Sequence, residues 1–481
     1  MVRHGGGQTT GIHGETIRMA LEIIRIASEQ AASPEDVWDW HARPGAMSRL
    51  LPPWERIEVV RADPGLAEGT RVTVRMGWGP CGVEWVSEHL APDPPHAFAD
   101  CQVEGPFARW RHRHLFSSLE GGGCEIEDRV EYELPLEPLA GLVAGRRLRD
   151  RIERGLAYRH RVLSRDFERH RRAALRPGLR VAVSGASGMI GGELSRVLST
   201  AGHEPVALER PASERPGAAG ASIAWDIGAG TIDRAALEGL DAVVHLAGEP
   251  IAGDRWTPER KERILDSRVE GTRLLSEALA ALENPPDVLV CASAIGLYGD
   301  RGDVRLEETA APGDGVLPRV VRAWEEAADP ARDAGIRVVH LRLGLVLWPA
   351  GGALERLLLP MRAGLGGRLG DGRQVWSWVT LDDVIGVALH VIGHDDVSGP
   401  VNVTAPNPVS NAEFTAVLAR VLNRPAFLPA PAVALRTLLG PEMADELLLA
   451  SARAAPAELE RTGYAFTDPV LEPALRHMLG R

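Results

Sequence analysis

The chain has 481 residues, of which 44% are hydrophobic and 25% charged, as expected for a globular protein of two or three domains. Its formal net charge of −12 argues against nucleic acid or an anionic membrane as the main partner. The four cysteines are far apart, and no signal peptide or membrane-spanning apolar run is visible. These features disfavour a disulfide scaffold, a zinc ribbon and a membrane protein, and we expect a cytoplasmic location.

The first third of the chain predicts an α+β domain over residues 21–172, preceded by an aperiodic segment, residues 1–20, expected to be a disordered tail. A helix is predicted to begin after Ser33, because Pro34 and acidic residues follow this capping residue. Alternating runs predict antiparallel strands in ETIRMALEIIRIASEQ, IEVVRA, TRVTVRMGW, GVEWVSEHLA, ARWRHRHLFSSL and CEIEDRVEYELP. A long, arginine-rich amphipathic helix then extends to about Arg172.

Two features of this domain could indicate a binding site: a pair of histidines and the basic helix. His112 and His114 share one strand face with Trp110 and Phe116, so they could bind a metal together. No third ligand is expected near this pair, and we predict no metal site. The basic helix could suit RNA or a membrane surface, but its interspersed acidic residues favour a solvated amphipathic helix.

Beyond Pro177 and Gly178, residues 179–424 predict a doubly wound parallel sheet of the α/β class. Helices of suitable length alternate there with the strands LRVAVSG, EPVALE, AVVHLAG, DVLVCAS and RVVHLRLG. A small, α-rich region, residues 425–481, begins at the linker-like PAFLPAP.

The strongest motif is GASGMIG, which lies directly between an apolar strand and a helix. Gly185 permits a tight turn, Gly188 lets the backbone approach phosphates, and Gly191 allows the helix to pack on the strand. The pyrophosphate of a dinucleotide would lie at the helix N-terminus, as in a Rossmann domain. A glycine-rich turn without a ligand is the alternative. The predicted cofactor loop comprises Gly185, Ala186, Ser187, Gly188, Met189, Ile190 and Gly191.

The end of the second strand bears on the choice between NADP(H) and NAD(H). Glu209 would bind a ribose 2′-hydroxyl, whereas Arg210 would bind a 2′-phosphate. Because Arg210 begins a loop that also contains Arg215, we favour NADP(H), with NAD(H) as the alternative. Both residues could also be solvated loop charges.

From about residue 180 to the end, the chain resembles the extended short-chain dehydrogenase/reductase superfamily, and more narrowly its bacterial epimerase family. The resemblance rests on GASGMIG, HLAGEPIAGDRWTPERKERILDSRVEGT, SAIGLYGDRGD, WEEAA, LRLGLVLWPAGGAL, LGGRLGDGRQVWSWVTLDDV and APAELERTGYAF. It implies an NAD(P)-dependent oxidoreductase or epimerase with a small C-terminal domain.

The resemblance also assigns cofactor contacts outside the glycine loop. Asp226 and Ile227 correspond to the segment that receives the adenine amino group. The backbone from His245 through Leu246 and Ala247 to Gly248 corresponds to the segment that passes the ribose and nicotinamide. The alternative for His245 is a buried histidine at a strand end. Arg268 replaces the usual asparagine and could reach a phosphate or only pair with an acid.

Catalysis in this superfamily needs a Tyr-x-x-x-Lys pair and a serine or threonine. Ser293 matches the serine, which also contacts the cofactor site, although a strand-capping role is the alternative. The pair itself is absent: counting back from Glu325 places Val321 and Leu317 at its positions.

Several residues could substitute for the missing pair. Tyr298 could be an acid–base group, although packing in a turn is the favoured alternative. Asp300 or Glu325 could act as a carboxylate base, or could be a surface or capping acid. Trp376 and Trp378 suit either a substrate wall or a strand core. Asp382 and Asp383 resemble a metal pair, but their place at a helix start favours a capping role.

The N-terminal domain resembles the START-like helix-grip fold, in SPEDVWDW, WERIEVV and the long basic helix. This resemblance implies a hydrophobic ligand held between sheet and helix. Candidate lining residues are Trp78, Trp85, Phe107 and Trp110, with ordinary core packing as the alternative.

The sequence therefore supports an NADP(H)-binding oxidoreductase or epimerase that acts on a small hydrophobic or sugar-like substrate. A catalytically silent dinucleotide-binding sensor or scaffold is the second hypothesis, because the Tyr-x-x-x-Lys pair is missing. A polyketide-type cyclase or lyase fused to a reductase is the third, resting on fold analogy alone. The sequence leaves the oligomeric state open.

Overall fold

The structure, a computed structural model, describes residues 21–77, 82–134, 141–210 and 221–481. The predicted tail, residues 1–20, lies outside the described residues, as do Trp78 and Arg215. Among the described residues, no helix combines the length and the apolar character needed to cross a membrane.

The described residues of the N-terminal domain form a seven-stranded antiparallel sheet with the order β1-β7-β6-β5-β4-β3-β2. Its strands are β1 (Glu22–Gln30), β2 (Ile57–Ala62), β3 (Arg71–Met76), β4 (Val83–His89), β5 (Ala97–Glu104), β6 (Arg109–Ser118) and β7 (Cys124–Glu133). Its helices are α1 (Pro34–Ala42), α2 (Ala46–Arg49) and α3 (Gly141–Ala173). Ser33 caps α1 in a capping box with Asp36, so the predicted helix start is confirmed. The arrangement is the predicted helix-grip fold.

Strand β5 was missed by the sequence analysis. Its inward positions carry Phe98, Asp100 and Gln102, while Val103 points outward and is 45% exposed. Polar residues therefore face inward and an apolar one faces solvent, the reverse of the pattern that indicates a half-buried strand. The register pairs Asp100 with His112 of β6.

The second domain is built on eight strands among the described residues, in the order β11-β10-β9-β8-β12-β13-β15-β19. They are β8 (Arg180–Ser184), β9 (Glu204–Glu209), β10 (Ser222–Asp226), β11 (Thr231–Ile232), β12 (Ala242–His245), β13 (Val288–Ala294), β15 (Arg337–Leu343) and β19 (Gly399–Val403). All pairs are parallel except β10 with β11. The strand order reverses between β8 and β12, where ligands bind in such sheets.

Helices cover both faces of this sheet and bury two apolar layers. The sheet-covering helices include α4 (Met189–Thr200), α5 (Arg234–Leu237), α6 (Pro258–Ala280), α8 (Asp329–Asp333) and α10 (Leu381–Gly393). The domain also contains α7 (Val316–Glu326), α9 (Gly352–Arg362) and α11 (Asn411–Leu422). The predicted doubly wound parallel sheet is confirmed.

The C-terminal region is α-rich and packs back onto the second domain. Its helices are α12 (Ala432–Leu439), α13 (Pro441–Ala444), α14 (Ala457–Arg461) and α15 (Leu471–Leu479), with a π-helical turn at Asp445–Leu449. One short pair joins the two regions: β14 (Arg305–Leu306) with β21 (Arg453–Ala454). Two further short pairs lie within the second domain: β16 (Leu345–Trp348) with β18 (Trp378–Thr380), and β17 (Val375–Trp376) with β20 (Val409–Ser410).

The sequence suggested that the polar face of α3 is solvated, but part of this face is buried. Its Asp166 is fully buried and binds Arg49 of α2, with Nη2–Oδ1 2.9 Å. Arg49 also binds Glu193 of α4 at 2.7 Å and Asp382 of α10 at 2.8 Å. Asp382, predicted as a capping acid, thus joins the two domains. The cap of α10 is Thr380, whose side chain accepts a hydrogen bond from the backbone N–H of Asp383.

Candidate functional site

The glycine loop lies at the carboxyl end of β8, where the strand order reverses. Gly185 has a φ of +69°, and a Cβ there would lie 3.1 Å from the backbone nitrogen of Ala247. A Cβ on Gly191 would lie 2.3 Å from the carbonyl oxygen of Gly185, so only glycine lets α4 pack this closely. Two of the three motif glycines are therefore required by the fold itself.

Gly188 differs from the other two glycines. Its backbone is extended with a φ of −82°, and a Cβ would meet only the carbonyl oxygen of Gly185, at 3.1 Å. As the N-cap of α4, Gly188 brings no side-chain hydrogen bond to the first helical N–H groups. Ser187 and Gly188 are exposed, so this helix end is accessible to an anion.

His245 ends β12 and is completely buried, as its structural alternative proposed. Ser184 Oγ accepts hydrogen bonds from the backbone N–H groups of Leu246 and Ala247, at 3.0 and 3.1 Å. Its own proton therefore goes to Nδ1 of His245, 2.7 Å away, and His245 Nε2 donates to Thr272 Oγ1 at 3.0 Å. Burial lowers the pKa of His245 to about 4, so the ring is neutral and holds the two central strands together.

Arg268 is a buried cation beside the predicted ribose segment. It donates to the carbonyl oxygens of Glu249 and Ile264 at 2.9 and 3.1 Å, and its guanidinium carbon lies 4.9 Å from the centroid of the Trp324 ring. A Cβ on Gly248 would lie 3.4 Å from the same carbon. Burial lowers the pKa of Arg268 to about 10, and its buried Nε has no hydrogen-bond partner among the described residues.

The predicted adenosine contacts lie at the ends of neighbouring strands. Glu209 ends β9 and is half-buried, whereas Arg210 follows it and is exposed. Asp226 ends β10 and accepts from the backbone N–H of Ala229 at 3.1 Å. Ile227 packs against α6, where a Cβ on Gly271 would lie 3.0 Å from its Cδ1.

Ser293 and Glu325 form a direct contact at the same edge of the sheet. Ser293 lies within β13, and its hydroxyl donates to Glu325 Oε1 at 2.6 Å. Glu325 is also bound by Arg342, with Nε–Oε1 2.9 Å and Nη2–Oε2 2.8 Å. Although burial raises the pKa of Glu325, Arg342 outweighs this effect and the net pKa is lowered. Glu325 is therefore an ionised acceptor for the serine proton.

Tyr298 lies behind this pair and contributes through Arg342. Its side chain is fully buried, and its hydroxyl donates to Asn402 Oδ1 at 2.7 Å while accepting from Arg342 Nη1 at 3.1 Å. Burial raises the pKa of Tyr298. The geometry matches the packing alternative in the sequence analysis and offers no support for an acid–base role.

The positions of the missing pair are part of the apolar core. Leu317 and Val321 on α7 are 6% and 1% exposed, so buried apolar side chains occupy the positions of the tyrosine and the lysine. Trp376 and Trp378 are 9% and 0% exposed and pack in the core around Phe414, as the strand-core alternative expects. Asp300 is exposed and binds the backbone N–H of Gly302 and of Ser451.

Asp383 is also a structural acid, as its helix-start position suggested. Its carboxylate accepts from the backbone N–H groups of Thr467 and Asp468 at 2.7 and 3.0 Å, and from Tyr464 at 3.1 Å. It ties α10 to the C-terminal region.

Sequence reasoning missed the residues that organise the site from neighbouring elements: Ser184, Thr272, Trp324, Arg342 and Asn402. Arg342 carried one usable signal, because an arginine in the apolar strand RVVHLRLG needs an acidic partner.

The interior of the N-terminal domain contains an aromatic group and a polar group. Trp85, Phe107 and Trp110, three of the predicted lining residues, pack with ring centroids 4.8–5.4 Å apart. Next to them, Asp100 reaches the neighbourhood of His112 and His114. The statement that no third ligand lies near this pair was wrong, because Asp100 arrives on the missed strand β5.

Three families match consecutive parts of the chain. Residues 31–155 match the polyketide cyclase / dehydrase and lipid transport family, and residues 181–404 match the NAD dependent epimerase/dehydratase family. Residues 430–478 match a domain of unknown function, DUF1731.

Relatives and solved structures agree with this division. The "Epimerase family protein Mb2239" of Mycobacterium bovis is 41% identical over 301 residues, which span 63% of this chain and 98% of that protein. The crystal structure of a nucleoside-diphosphate sugar epimerase from Corynebacterium glutamicum is 33% identical, with a TM-score of 0.78 over 95% of this chain and 90% of that chain.

The human epimerase family protein SDR39U1, whose structure was solved with NADPH, is 33% identical over 63% of this chain and 99% of its own, with a TM-score of 0.57. The 41% identity to a relative that is covered almost completely settles the family of the second domain. The chain belongs to the epimerase family of the short-chain dehydrogenase/reductase superfamily and carries an additional N-terminal domain of the polyketide-cyclase type.

Proposed function

We propose that this chain is an NADP(H)-dependent oxidoreductase or epimerase that acts on a hydroxyl group of a small, sugar-like or hydrophobic substrate. The observation that carries the proposal is the hydrogen bond from Ser293 to an ionised Glu325 at the carboxyl edge of the sheet. This edge also holds the glycine loop, because β8, β12 and β13 are adjacent and parallel.

The residues present fit a dinucleotide. The exposed N-terminus of α4 at Gly188 suits the pyrophosphate. Nε of buried Arg268 has no hydrogen-bond partner among the described residues and could donate to an anionic or polar group of the cofactor. The residues proposed to hold the cofactor are Gly185–Gly191, Glu209, Arg210, Asp226, Ile227, His245–Gly248, Arg268 and Ser293. The NADPH-bound human relative supports NADP(H) over NAD(H), and when bound the nicotinamide supplies hydride transfer.

Ser293 and Glu325 can manage the proton of a substrate hydroxyl. Because the Ser293 proton is directed to Glu325, the serine oxygen has lone pairs free to accept a hydrogen bond. A substrate hydroxyl would donate to Ser293 and could pass its proton through Ser293 to Glu325 as its carbon is oxidised. Arg342 keeps the Glu325 carboxylate ionised and oriented, and Tyr298 holds Arg342 in place.

The N-terminal domain is proposed to bind a hydrophobic ligand against the Trp85, Phe107 and Trp110 cluster. The match to a family that includes lipid transport supports this role. The bound molecule could be the substrate or product of the second domain.

The test begins with fluorescence titration of NADPH and NADH into the full chain, and the proposal expects tighter binding of NADPH. Turnover is then assayed with nucleotide sugars and a panel of alcohols and ketones, because the Corynebacterium relative is described as a nucleoside-diphosphate sugar epimerase. Ser293→Ala should lower kcat by about 100-fold or more, and its effect on kcat should be much larger than its effect on the Kd for NADPH. Failure to bind either cofactor would sink the proposal.

A silent dinucleotide sensor is the second candidate, and the buried Leu317 and Val321 at the positions of the catalytic pair favour it. NADPH binding without turnover or hydride exchange on the whole panel would support this candidate against the enzyme.

A further inference from the structure

Two histidines and an aspartate converge inside the N-terminal sheet, away from the proposed oxidoreductase site. Asp100 on β5 is the cross-strand partner of His112 on β6, and His114 lies two residues further on the same face. One ligand atom from each side chain can be chosen so that all three lie within 4.8 Å of one another. Metal–ligand bonds of about 2.0–2.2 Å separate neighbouring ligand atoms by roughly 3–4 Å, so small side-chain rotations would complete a site.

A second carboxylate lies close to both histidines. Asp128 of β7 is the cross-strand partner of His114, and its Oδ1 lies 2.6 Å from Nδ1 of His114 and 3.4 Å from Nε2 of His112. Each ring therefore turns one nitrogen to Asp128. The other nitrogen of each ring, Nδ1 of His112 or Nε2 of His114, is available as a metal ligand. Nδ1 of His112 lies 3.8 Å from Asp100 Oδ1. Metal-bound histidines characteristically pair their second nitrogen with a carboxylate in this way.

The supporting carboxylate is itself anchored by the long helix. His160 of α3 approaches Asp128 Oδ2 with its Nε2 at 3.2 Å, and its Nδ1 contacts Ser28 Oγ at 2.7 Å. Gln30 donates to the same serine at 3.1 Å. Asp128, His112 and His160 are all at most 5% exposed, so this arrangement is built into the domain rather than lying on its surface.

The hydrogen bonding within this cluster is incomplete. Nε2 of His112 and Oδ1 of Asp128 are both buried, and neither has a well-directed hydrogen bond among the described residues. A metal bound at Nδ1 of His112 would fix the proton on Nε2 and turn this N–H toward Asp128.

We propose that Asp100, His112 and His114 bind one divalent first-row transition metal ion, with zinc as the best fit. Two imidazole nitrogens and one carboxylate oxygen suit such ions better than Mg²⁺ or Ca²⁺, which prefer oxygen ligands. Three protein ligands leave at least one coordination position for water or an exogenous ligand. Asp100 is 17% exposed, more than either histidine, so the open side of the site lies toward it. This inference does not depend on the proposed oxidoreductase function.

The experiment uses the full chain, stripped with a chelator and then titrated with Co²⁺ or Zn²⁺ alone. Metal content after dialysis and the visible absorption of bound Co²⁺ report the site. The expected result is one equivalent per chain. His114→Gln and Asp100→Asn should each weaken binding by at least about tenfold, and Asp128→Asn should weaken it by about 10–100-fold without removing a ligand.

His96→Gln is the matched control, because His96 is exposed and lies outside the cluster. Near-ultraviolet circular dichroism establishes that each variant is folded. If the wild-type chain retains no metal, or binds it no more tightly than the folded His114→Gln variant, the cluster is a hydrogen-bonded network and the proposal fails.

Discussion

Arg342 and Glu325 form a two-pronged ion pair in which Nε–Oε1 is 2.9 Å and Nη2–Oε2 is 2.8 Å. Glu325 also accepts a hydrogen bond from the Ser293 hydroxyl, so its carboxylate links Arg342 of β15 to the proposed catalytic serine. The side chains of Arg342 and Glu325 are only 8% and 16% exposed, which makes each dependent on the other for its charge.

Glu325→Gln should therefore lower stability as well as activity. The amide keeps the size of the side chain but leaves the Arg342 charge uncompensated, and we expect a loss of about 3 kcal/mol in the free energy of unfolding at pH 7. The folded pKa of Glu325 lies below its ordinary 4.5, so its stabilising effect is complete above that pH and disappears as the pH falls through the folded pKa. In urea unfolding of the wild type and of Glu325→Gln, the difference between their free energies of unfolding should decrease from pH 7 to pH 3.

Glu326→Gln provides the control for this prediction, since the neighbouring Glu326 is exposed on the same helix. A Glu325→Gln protein as stable as the Glu326→Gln protein at pH 7 would show that the ion pair is not needed.

Gly188→Ala should weaken NADPH binding without unfolding the chain. The backbone at Gly188 is one that alanine adopts readily, and the new Cβ meets only one protein atom, at 3.1 Å. The same Cβ would occupy the approach to the helix N-terminus. We expect the Kd for NADPH to rise by about tenfold or more, equivalent to about 1.4 kcal/mol, by fluorescence titration.

Gly145→Ala is the appropriate comparison, because a Cβ there meets nothing within 4 Å and Gly145 lies on α3 in the other domain. Equal NADPH affinities in the two variants would contradict the placement of the pyrophosphate at Gly188.

The sequence predicted elements that depend on local patterns and missed contacts that depend on the tertiary fold. Gly185 and Gly191 were identified because a strand–turn–helix requires glycine at those spacings, and the structure shows the close approaches. Asp100 was missed because β5 places its polar residues inward, which hides a strand from pattern analysis. The role of Arg342 was also hidden, since its partner Glu325 lies 17 residues away on a helix.

Domain contacts were hidden for the same reason. Arg49 belongs to none of the motifs in the sequence, yet it binds Asp166, Glu193 and Asp382 of three different helices. No pattern within α2 indicates partners 117 to 333 residues away.

Arg49→Met should destabilise the chain strongly. The substitution leaves three buried carboxylates without their shared cation, and breaking buried ion pairs of this kind costs about 3–5 kcal/mol. Because Arg49 joins α2 to α4 and α10, the first unfolding transition in calorimetry should move to lower temperature. Arg61→Met should have almost no effect, since Arg61 is 77% exposed and, among the residues that the structure describes, pairs with Asp63 alone. Equal transitions in the two variants would rule out a stabilising role for the buried cluster.

Buried histidines should make the chain less stable in mild acid. Burial holds the pKa of each of these side chains at about 3 or 4: His41, His170, His245, His340, His390 and His477. Histidines of the unfolded chain take up protons near pH 6.5, so proton binding stabilises the unfolded state as the pH falls from about 6.5 to 4. The free energy of unfolding, measured with urea, should therefore decrease through this window.

His170 offers the sharpest test of this prediction, because both of its ring nitrogens are buried without a hydrogen-bond partner among the described residues. His170→Leu removes two unsatisfied polar atoms and one proton-binding site of the unfolded chain. The variant should be more stable than the wild type by about 1–3 kcal/mol in mild acid, and its stability should depend less on pH. His96→Leu, at an exposed position, should leave that pH dependence almost unchanged, and a His170→Leu protein that behaves in the same way would show that His170 is charged in the folded chain.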